Sequence, residues 1–361
     1  MNTNKKQKNI FNFLIKNIKI LIFINMILFA ISCSKSDTIS PAPTPIPTPT
    51  VKDIYVVGSE SNGTNSVSKV WKNDVASALT DGTNSSRAYA LTVIENDIYV
   101  AGYESNGTND VAKIWKNGVA TSLTDGTGTS SAFAITVKGN DVYVAGNEFN
   151  GTKSVAKIWK NGIATALTDG TQFGSAEDIF VEGNDVYATG EESNSTNLIA
   201  KIWKNGVATA LTDGTNRAIA NAITVVGSDV YVAGSEYNGT TYVAKVWKNG
   251  IETALTDGSQ NASSKAITVV GSDVYVVGYE NNGTKNVAKI WKNGIATALT
   301  DGTQDAGVSA ISLVGSDVYV VGSESNGTNS IAKYWKNGIA TNLITNVTSN
   351  SFAMGIAITT N

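Results

Sequence analysis

The sequence predicts an all-β protein whose main body is a seven-bladed β-propeller of 44-residue, four-stranded repeats. Three observations predict this fold: a fixed 44-residue period, short segments rich in β-branched residues between Gly, Asn and Asp, and the absence of proline after residue 49. The period is carried by seven tyrosines and by all seven tryptophans of the 361-residue chain: Tyr55, Tyr99, Tyr143, Tyr187, Tyr231, Tyr275 and Tyr319, and Trp71, Trp115, Trp159, Trp203, Trp247, Trp291 and Trp335.

One repeat, beginning at Ala266, shows the four predicted strands: "AITVVG", "VYVVGYE", "VAKIWKNG" and "IATALTDG". Gly271-Ser272, Asn282-Gly283 and Asn293-Gly294 separate them and are typical of tight reversals between antiparallel strands. A four-stranded sheet has two faces to bury, and stacking seven sheets around an axis buries both. The repeated Tyr and Trp side chains are therefore expected between neighbouring blades.

The phase of the repeat predicts how the ring closes. The first repeat starts at Val51 in its second strand, and the chain ends with "AMGIAITTN", a copy of the strand that the first repeat lacks. The C-terminal strand is therefore expected to complete the first blade. A linear solenoid would instead need polar capping repeats, and neither end of the repeat region supplies one.

The first fifty residues differ in kind from the repeats. Five lysines precede an apolar run of about a dozen residues that ends at "AISC", as in a secretory signal. After Cys33 comes "SKSDTISPAPTPIPTPT", which holds all five prolines of the chain and favours an extended stalk. The predicted organisation is a signal peptide over 1–32, a Ser/Thr/Pro-rich linker over 33–50 and the propeller over 51–361.

The four residues Ala30, Ile31, Ser32 and Cys33 resemble the lipobox of bacterial lipoproteins, with Ala30 in place of the more usual leucine. The resemblance implies lipid attachment at Cys33, so that the membrane is reached through a lipid anchor only. An ordinary signal peptide with a stray cysteine, or an uncleaved anchor, are the alternatives.

A second resemblance covers 51–361. "AITVVGSDVYVVG" followed by "VAKIWKNG" resembles the blades of NHL-type and related bacterial propeller repeats, and the propeller-repeat lipoproteins of Gram-negative bacteria. It implies that the strand before "VYV" lies innermost, and that the protein is held at the outer membrane or cell surface. It specifies a blade and no particular activity.

Composition excludes several function classes. A chain without histidine cannot form a Ser-His-Asp or Cys-His arrangement or a histidine metal site. Removal of 1–32, which hold five lysines and no acidic residue, changes the formal net charge from −3 to −8, which argues against nucleic acid as a partner. No cofactor or metal is expected, and the domain is expected to be a monomer.

Symmetry separates structural residues from candidate functional ones: a residue present in every blade serves the blade, and one that breaks the pattern is a candidate for a site. Glu60 and Lys69 have counterparts in all seven repeats, so cross-strand pairing explains them, and a carboxylate ring that binds a cation is the alternative. The repeated aspartates, of which Asp53 is the first, are expected at turns.

The variable stretch is interpreted as the loop before the predicted innermost strand, and all seven loops are expected on one face of the ring around the axial opening. It contains the only two arginines of the chain together with aromatic, amide and charged residues, a composition suited to sugars or peptides. The candidate ligand-binding residues are Arg87, Tyr89, Phe133, Phe173, Glu177, Asp178, Arg217, Asn221 and Lys265. Unconstrained drift of loop sequences is the alternative interpretation, and hairpin aromatics such as Tyr103, Phe149, Tyr237, Tyr242 and Tyr279 could form a second, outer rim.

The sequence therefore favours a lipid-anchored, extracytoplasmic binding or scaffold module for a glycan, peptide or protein. The alternative is a carbohydrate-active enzyme that uses axial carboxylates: Glu177, Asp178 and a converging residue such as Asp305. Because neighbouring residues of a strand point to opposite faces, that alternative needs carboxylates from more than one blade.

Overall fold

A computed structural model of the chain describes residues 49–343 and 347–361. These residues form seven four-stranded antiparallel sheets, so the predicted all-β, seven-bladed propeller is confirmed. None of the described residues belongs to a helix that is long and apolar enough to cross a membrane. The predicted signal peptide and most of the linker, including Cys33, lie outside the described residues.

Each blade contains an innermost, a second, a third and an outer strand. The innermost strands are β4 (Ser86–Ile94), β8 (Ser130–Lys138), β12 (Gly174–Glu182), β16 (Ala218–Val226), β20 (Ala262–Val270), β24 (Ala306–Val314) and β28 (Ser351–Thr360). The second strands are β1 (Val51–Ser61), β5 (Asp97–Ser105), β9 (Asp141–Phe149), β13 (Asp185–Ser193), β17 (Asp229–Tyr237), β21 (Asp273–Asn281) and β25 (Asp317–Ser325).

The outer half of each blade is shorter. The third strands are β2 (Ser66–Lys72), β6 (Asp110–Lys116), β10 (Ser154–Lys160), β14 (Leu198–Lys204), β18 (Tyr242–Lys248), β22 (Asn286–Lys292) and β26 (Ser330–Lys336). The outer strands are β3 (Val75–Ala78), β7 (Val119–Ser122), β11 (Ile163–Ala166), β15 (Val207–Ala210), β19 (Ile251–Ala254), β23 (Ile295–Ala298) and β27 (Ile339–Asn342).

Blade 1 is made from both ends of the propeller chain, in the order β28-β1-β2-β3, and blades 2 to 7 follow in sequence. Strand β28 pairs with β1 in antiparallel register from Val51↔Thr360 to Glu60↔Ser351. The prediction that the last strand completes the first blade is therefore confirmed.

The tryptophans hold neighbouring blades together. All seven are at most 1% exposed, and each packs into an apolar cluster shared with the preceding blade. Trp71 of blade 1 packs with Val321 and Ala332 of blade 7, which repeats the same interface across the point of closure. Burial of one such side chain contributes roughly 1.5–3 kcal/mol, so the seven interfaces account for much of the core.

Turns and charges of the repeat take the places that the pattern predicts. Asn117 and Gly118 both have positive φ, 51° and 83°, as a type I′ hairpin turn requires, and Asn-Gly or Asn-Asp pairs occupy the equivalent turn in every blade. Glu60 pairs with Lys69 and Asp53 with Lys72 across neighbouring strands. The same two ion pairs form in all seven blades, which confirms cross-strand pairing.

Candidate functional site

Every innermost strand carries a β-bulge at the same level. In blade 2, Ala88 pairs with Gly102 and Ala90 with Ala101, which leaves Tyr89 without a partner on β5. A bulge of this kind adds one residue to one strand and redirects its side chain. The seven bulged residues, from blade 1 to blade 7, are Met354, Tyr89, Phe133, Glu177, Asn221, Lys265 and Ser309.

A glycine on the second strand permits each bulge. A Cβ added at Gly102 would lie 2.0 Å from the carbonyl oxygen of Arg87, far inside any real contact. The equivalent glycines of the other six blades, Gly58, Gly146, Gly190, Gly234, Gly278 and Gly322, show the same approach at 1.8–2.1 Å. The repeated glycine of "VYVVG" is therefore required because the bulged backbone lies directly against it.

All seven bulged residues line one cavity of about 240 Å³ on the propeller axis. Each is half-buried, whereas the residues directly before them in the strands are fully buried. The cavity therefore presents one side chain from every blade at a single level of the channel. Seven equivalent positions carry seven different residue types there, whereas the Tyr and Trp positions of the repeat are the same in every blade.

The polar and apolar residues of this ring are segregated. Met354, Tyr89 and Phe133 follow one another in blades 1 to 3, and the Tyr89 and Phe133 rings meet edge to face at 5.2 Å. The remaining four blades contribute polar side chains in the order Glu177, Asn221, Lys265 and Ser309. We name the first group the apolar arc and the second group the polar arc.

Glu177 and Lys265 are the charged residues of the polar arc. The Ser175 hydroxyl donates to Glu177 Oε1 at 2.5 Å, and burial raises the pKa of the Glu177 carboxyl. Burial lowers the pKa of the Lys265 ammonium, while Glu177 and Glu191 oppose that change. Across 49–343 and 347–361, Lys265 forms no ion pair within 4.0 Å. The Glu177 carboxyl and the Lys265 ammonium therefore both line the cavity without pairing with each other.

Asp178 also lines the cavity, because the bulge at Glu177 breaks the alternation that would place these neighbours on opposite faces. Its two carboxylate oxygens accept the backbone N–H groups of Ile179 and, in the next blade, Ile223, both at 2.8 Å. Burial raises the pKa of Asp178 to about 7, and the two N–H donors act in the opposite direction. Asp178 therefore links blades 4 and 5 beside the cavity.

Glu191 is a functional candidate that sequence reasoning missed. It lies on β13 opposite Ser175, is 8% exposed, and its Oε2 accepts no hydrogen bond from the described residues. Burial, followed by the negative charge of Glu177, raises the pKa of Glu191 well above its usual range, and Arg217 and Lys265 oppose the shift. Its column across the repeats reads Ser59, Tyr103, Asn147, Glu191, Ser235, Tyr279 and Ser323, a variability that could have identified it.

The structure divides the nine sequence-predicted ligand residues into two groups. Tyr89, Phe133, Glu177, Asp178, Asn221 and Lys265 line the axial cavity. Arg87, Phe173 and Arg217 are not among the described residues that line it: the Arg87 guanidinium lies 5.9 Å from the Phe352 ring, and Phe173 and Arg217 directly precede β12 and β16.

Two details of the sequence interpretation need correction. Most of the supposed loop is strand, because seven of the nine candidates, all except Phe173 and Arg217, lie inside the innermost strands. Asp305 does not converge on the axis: it is exposed just before β24, where it pairs with Lys285 at 2.9 Å. The segments vary because the axial space accepts different side chains, whereas the packed faces between blades do not.

The aromatic residues near the hairpins do not form one group. Tyr103 lies 6.0 Å from Tyr89, next to the apolar arc, whereas Tyr237 and Tyr242 contact each other across one hairpin at 5.4 Å. Phe149 is 42% exposed.

No protein-family model matches the chain, and no curated protein matches it. Among solved structures, the chain is similar to the crystal structure of TolB from Acinetobacter baumannii, with 15% sequence identity and a TM-score of 0.49. The match covers 71% of this chain and 63% of that one, so the chain spans less than two thirds of that protein's length.

Proposed function

We propose that this protein is a binding module of the cell envelope whose ligand places one small group in the axial cavity. One observation carries the proposal: the seven bulged positions are equivalent by symmetry, face a single cavity and hold seven different residues. Packing between blades does not require this difference, because all seven blades form with the same four-stranded order. Concave sites with apolar walls and a few convergent polar groups are typical of ligand binding.

Binding explains the site better than glycoside hydrolysis does. A glycosidase needs two carboxyl groups about 5–10 Å apart with access to the scissile bond. Both oxygens of Asp178 already accept backbone N–H groups, and Asp305 lies away from the axis in an ion pair. Glu177 is thus left without the partners that the enzyme hypothesis assigned to it.

The test is binding of the full-length protein in detergent to arrays of glycans and short peptides. We expect Tyr89→Ala and Phe133→Ala each to weaken the Kd of a hit by about tenfold or more, because each removes an aromatic contact inside the cavity. Tyr242→Ala is the matched control, since it removes an aromatic ring from a hairpin. Hits that lose affinity in Tyr242→Ala and keep it in the two cavity variants would contradict the axial site.

The location of the module rests on the signal and lipobox residues, and it stays a prediction. Lipid attached at Cys33 would bury enough methylene groups, at about 0.8 kcal/mol each, to hold the propeller stably on a membrane. We expect Cys33→Ser to move the protein from the membrane fraction to the soluble fraction of cells. Retention in the membrane fraction would indicate an uncleaved anchor.

A further inference from the structure

The polar arc keeps an acid and a base apart. Glu177 and Lys265 belong to blades 4 and 6, with Asn221 of blade 5 between them, and all three line the cavity. No ion pair within 4.0 Å joins Glu177 and Lys265. The separation is set by the blades themselves, since each residue sits on a bulge whose backbone is fixed against a glycine.

The three residues also retain hydrogen-bonding capacity. Asn221 donates its Nδ2 to the Ser264 carbonyl oxygen at 2.8 Å, so its Oδ1 remains free to accept. Glu177 accepts the Ser175 hydroxyl on Oε1 and has its other oxygen available. Among the residues that the structure describes, nothing accepts a hydrogen bond from the Lys265 ammonium, which has three N–H donors.

A ligand that enters the cavity removes water from both charges, and a desolvated charge must be paired or it weakens binding. A neutral sugar would offer hydroxyl hydrogen bonds to Glu177 and Lys265 but no opposite charge to either. A simple anion would pair only Lys265, and a simple cation only Glu177. A molecule with one cationic and one anionic group would pair both, and Asn221 Oδ1 would accept from the cationic group beside Glu177.

Size and the apolar arc define the rest of the ligand. A volume of about 240 Å³ is below the range of roughly 300–1,000 Å³ that is usual for ligand pockets, so it suits a molecule of about one residue. Met354, Tyr89 and Phe133 form an apolar surface next to the charged groups. The ligand therefore needs an apolar body attached to a compact zwitterionic head.

We propose that the axial cavity binds a free α-amino acid with an apolar or aromatic side chain. Its ammonium group lies against Glu177 and Asn221, its carboxylate against Lys265, and its side chain on the apolar arc. An internal peptide residue lacks both charges and a peptide terminus carries only one, which is why the free amino acid fits best. This inference rests on the proposed function and assigns the ligand class of the same cavity.

The experiment is calorimetric titration of the full-length protein in detergent with L-phenylalanine and L-leucine. The tighter ligand is then compared with its amide, which lacks the carboxylate, and with its deaminated acid, which lacks the ammonium. We expect each analogue to bind at least tenfold more weakly than the amino acid, since each leaves one protein charge unpaired.

Two variants assign the contacts through their effect on that comparison. In Lys265→Met, the amino acid and its amide should bind equally, because the partner of the carboxylate is gone. In Glu177→Gln, the amino acid and the deaminated acid should bind equally. Lys285→Met, in blade 6, and Glu182→Gln, on β12, make the same charge changes outside the cavity and should preserve the wild-type preferences.

The analogues probe the unaltered protein, so the comparison among ligands does not depend on the folding of any variant. Equal affinity of wild type for the amino acid and both analogues overturns the zwitterion inference, as does absence of binding to either amino acid. If glycans or peptides then still bind and Tyr89→Ala weakens them, the proposed function stands without this ligand class. If the glycan and peptide arrays also show no binding, both the proposed function and the amino-acid ligand are overturned.

Discussion

Deletion of residues 351–361 should abolish cooperative unfolding of the propeller. Strand β28 supplies the innermost strand of blade 1 and pairs with β1 along most of its length. Its loss exposes apolar surface on both sides of the closure, including Val56, Trp71 and Val321, all at most 1% exposed in the closed ring. Each such side chain contributes roughly 1.5–3 kcal/mol when it is buried. The exposure of all three therefore costs an amount comparable to the whole net stability of a typical protein, which is about 5–15 kcal/mol.

Denaturant unfolding followed by tryptophan fluorescence measures this effect, because every tryptophan lies at an interface between blades. We expect the sharp transition of the wild type to be replaced by a broad, sloping one. A truncated protein with an unchanged transition midpoint and slope would mean that the blades are stable as an open array, as in a solenoid.

A circular permutant is the matched control, since it keeps every residue and changes only the connection. In the chain order 1–49, 344–361, 50–343, strand β28 forms a hairpin with β1. Asn361 and Thr50 then become its two turn residues between Thr360 and Val51, which already pair. The Asn361 N–H already donates to the Thr50 carbonyl oxygen at 3.1 Å, so the ends are close enough to join. We expect this permutant to unfold cooperatively.

The ring could be predicted from the sequence because every blade repeats the same residues at the same spacing. A 44-residue period fixes the number of blades, the Tyr and Trp columns mark the packed faces, and the missing first strand reveals the closure. The Glu–Lys pairs could be predicted for the same reason, because both residues recur at a constant spacing in all seven repeats. These features depend only on contacts within one blade or between neighbouring blades, and the repeated sequence shows the residues that make those contacts.

The site was only partly predictable because it depends on the bulge, a property of two strands in register. Strict alternation places Glu177 and Asp178 on opposite faces, whereas the bulge lets both line the cavity. Met354 is not recognised as an equivalent position when the repeats are aligned at a period of 44, because it follows Ser309 by 45 residues. Glu191 lies on a second strand, so only the fold brings it beside Glu177 and Lys265.

Asp178 should make the stability of this protein fall as pH rises from about 4 to about 7. Its pKa is raised from 3.8 to about 7 in the folded state, so the folded protein binds a proton that the unfolded chain releases. The stabilising contribution of protonated Asp178 is therefore fully present below pH 3.8 and is lost as pH rises through 7. The shift corresponds to about 4 kcal/mol, an upper bound because Asp178 keeps part of its surface open to the cavity.

The repeat itself offers the variant that tests this. In the other six blades the equivalent position is occupied by small residues, Ala90, Ala134, Ala222, Ala266, Ala310 and Gly355, so Asp178→Ala restores the consensus without new bulk. We expect the free energy of unfolding of the wild type, minus that of the variant, to decrease by up to about 4 kcal/mol between about pH 4 and pH 8. Carboxylates with lowered pKa values, such as Asp97 and Asp141, are present in both proteins and cancel in this difference.

A constant difference in the free energy of unfolding between wild type and Asp178→Ala across this pH range would mean that Asp178 stays ionised in the folded state. The backbone N–H donors of Ile179 and Ile223 would then be what keeps it ionised. A decreasing difference that becomes negative near neutral pH would show that ionised Asp178 opposes folding beside the axial cavity, where alanine or glycine occupies the equivalent position in the other six blades. Stability sacrificed at one symmetric position out of seven is expected where a site is built, because function and packing then make different demands on the same residue. The pH profile of Asp178→Ala therefore tests, independently of any ligand, whether Asp178 is protonated in the folded protein and whether its ionised form lowers stability beside the cavity.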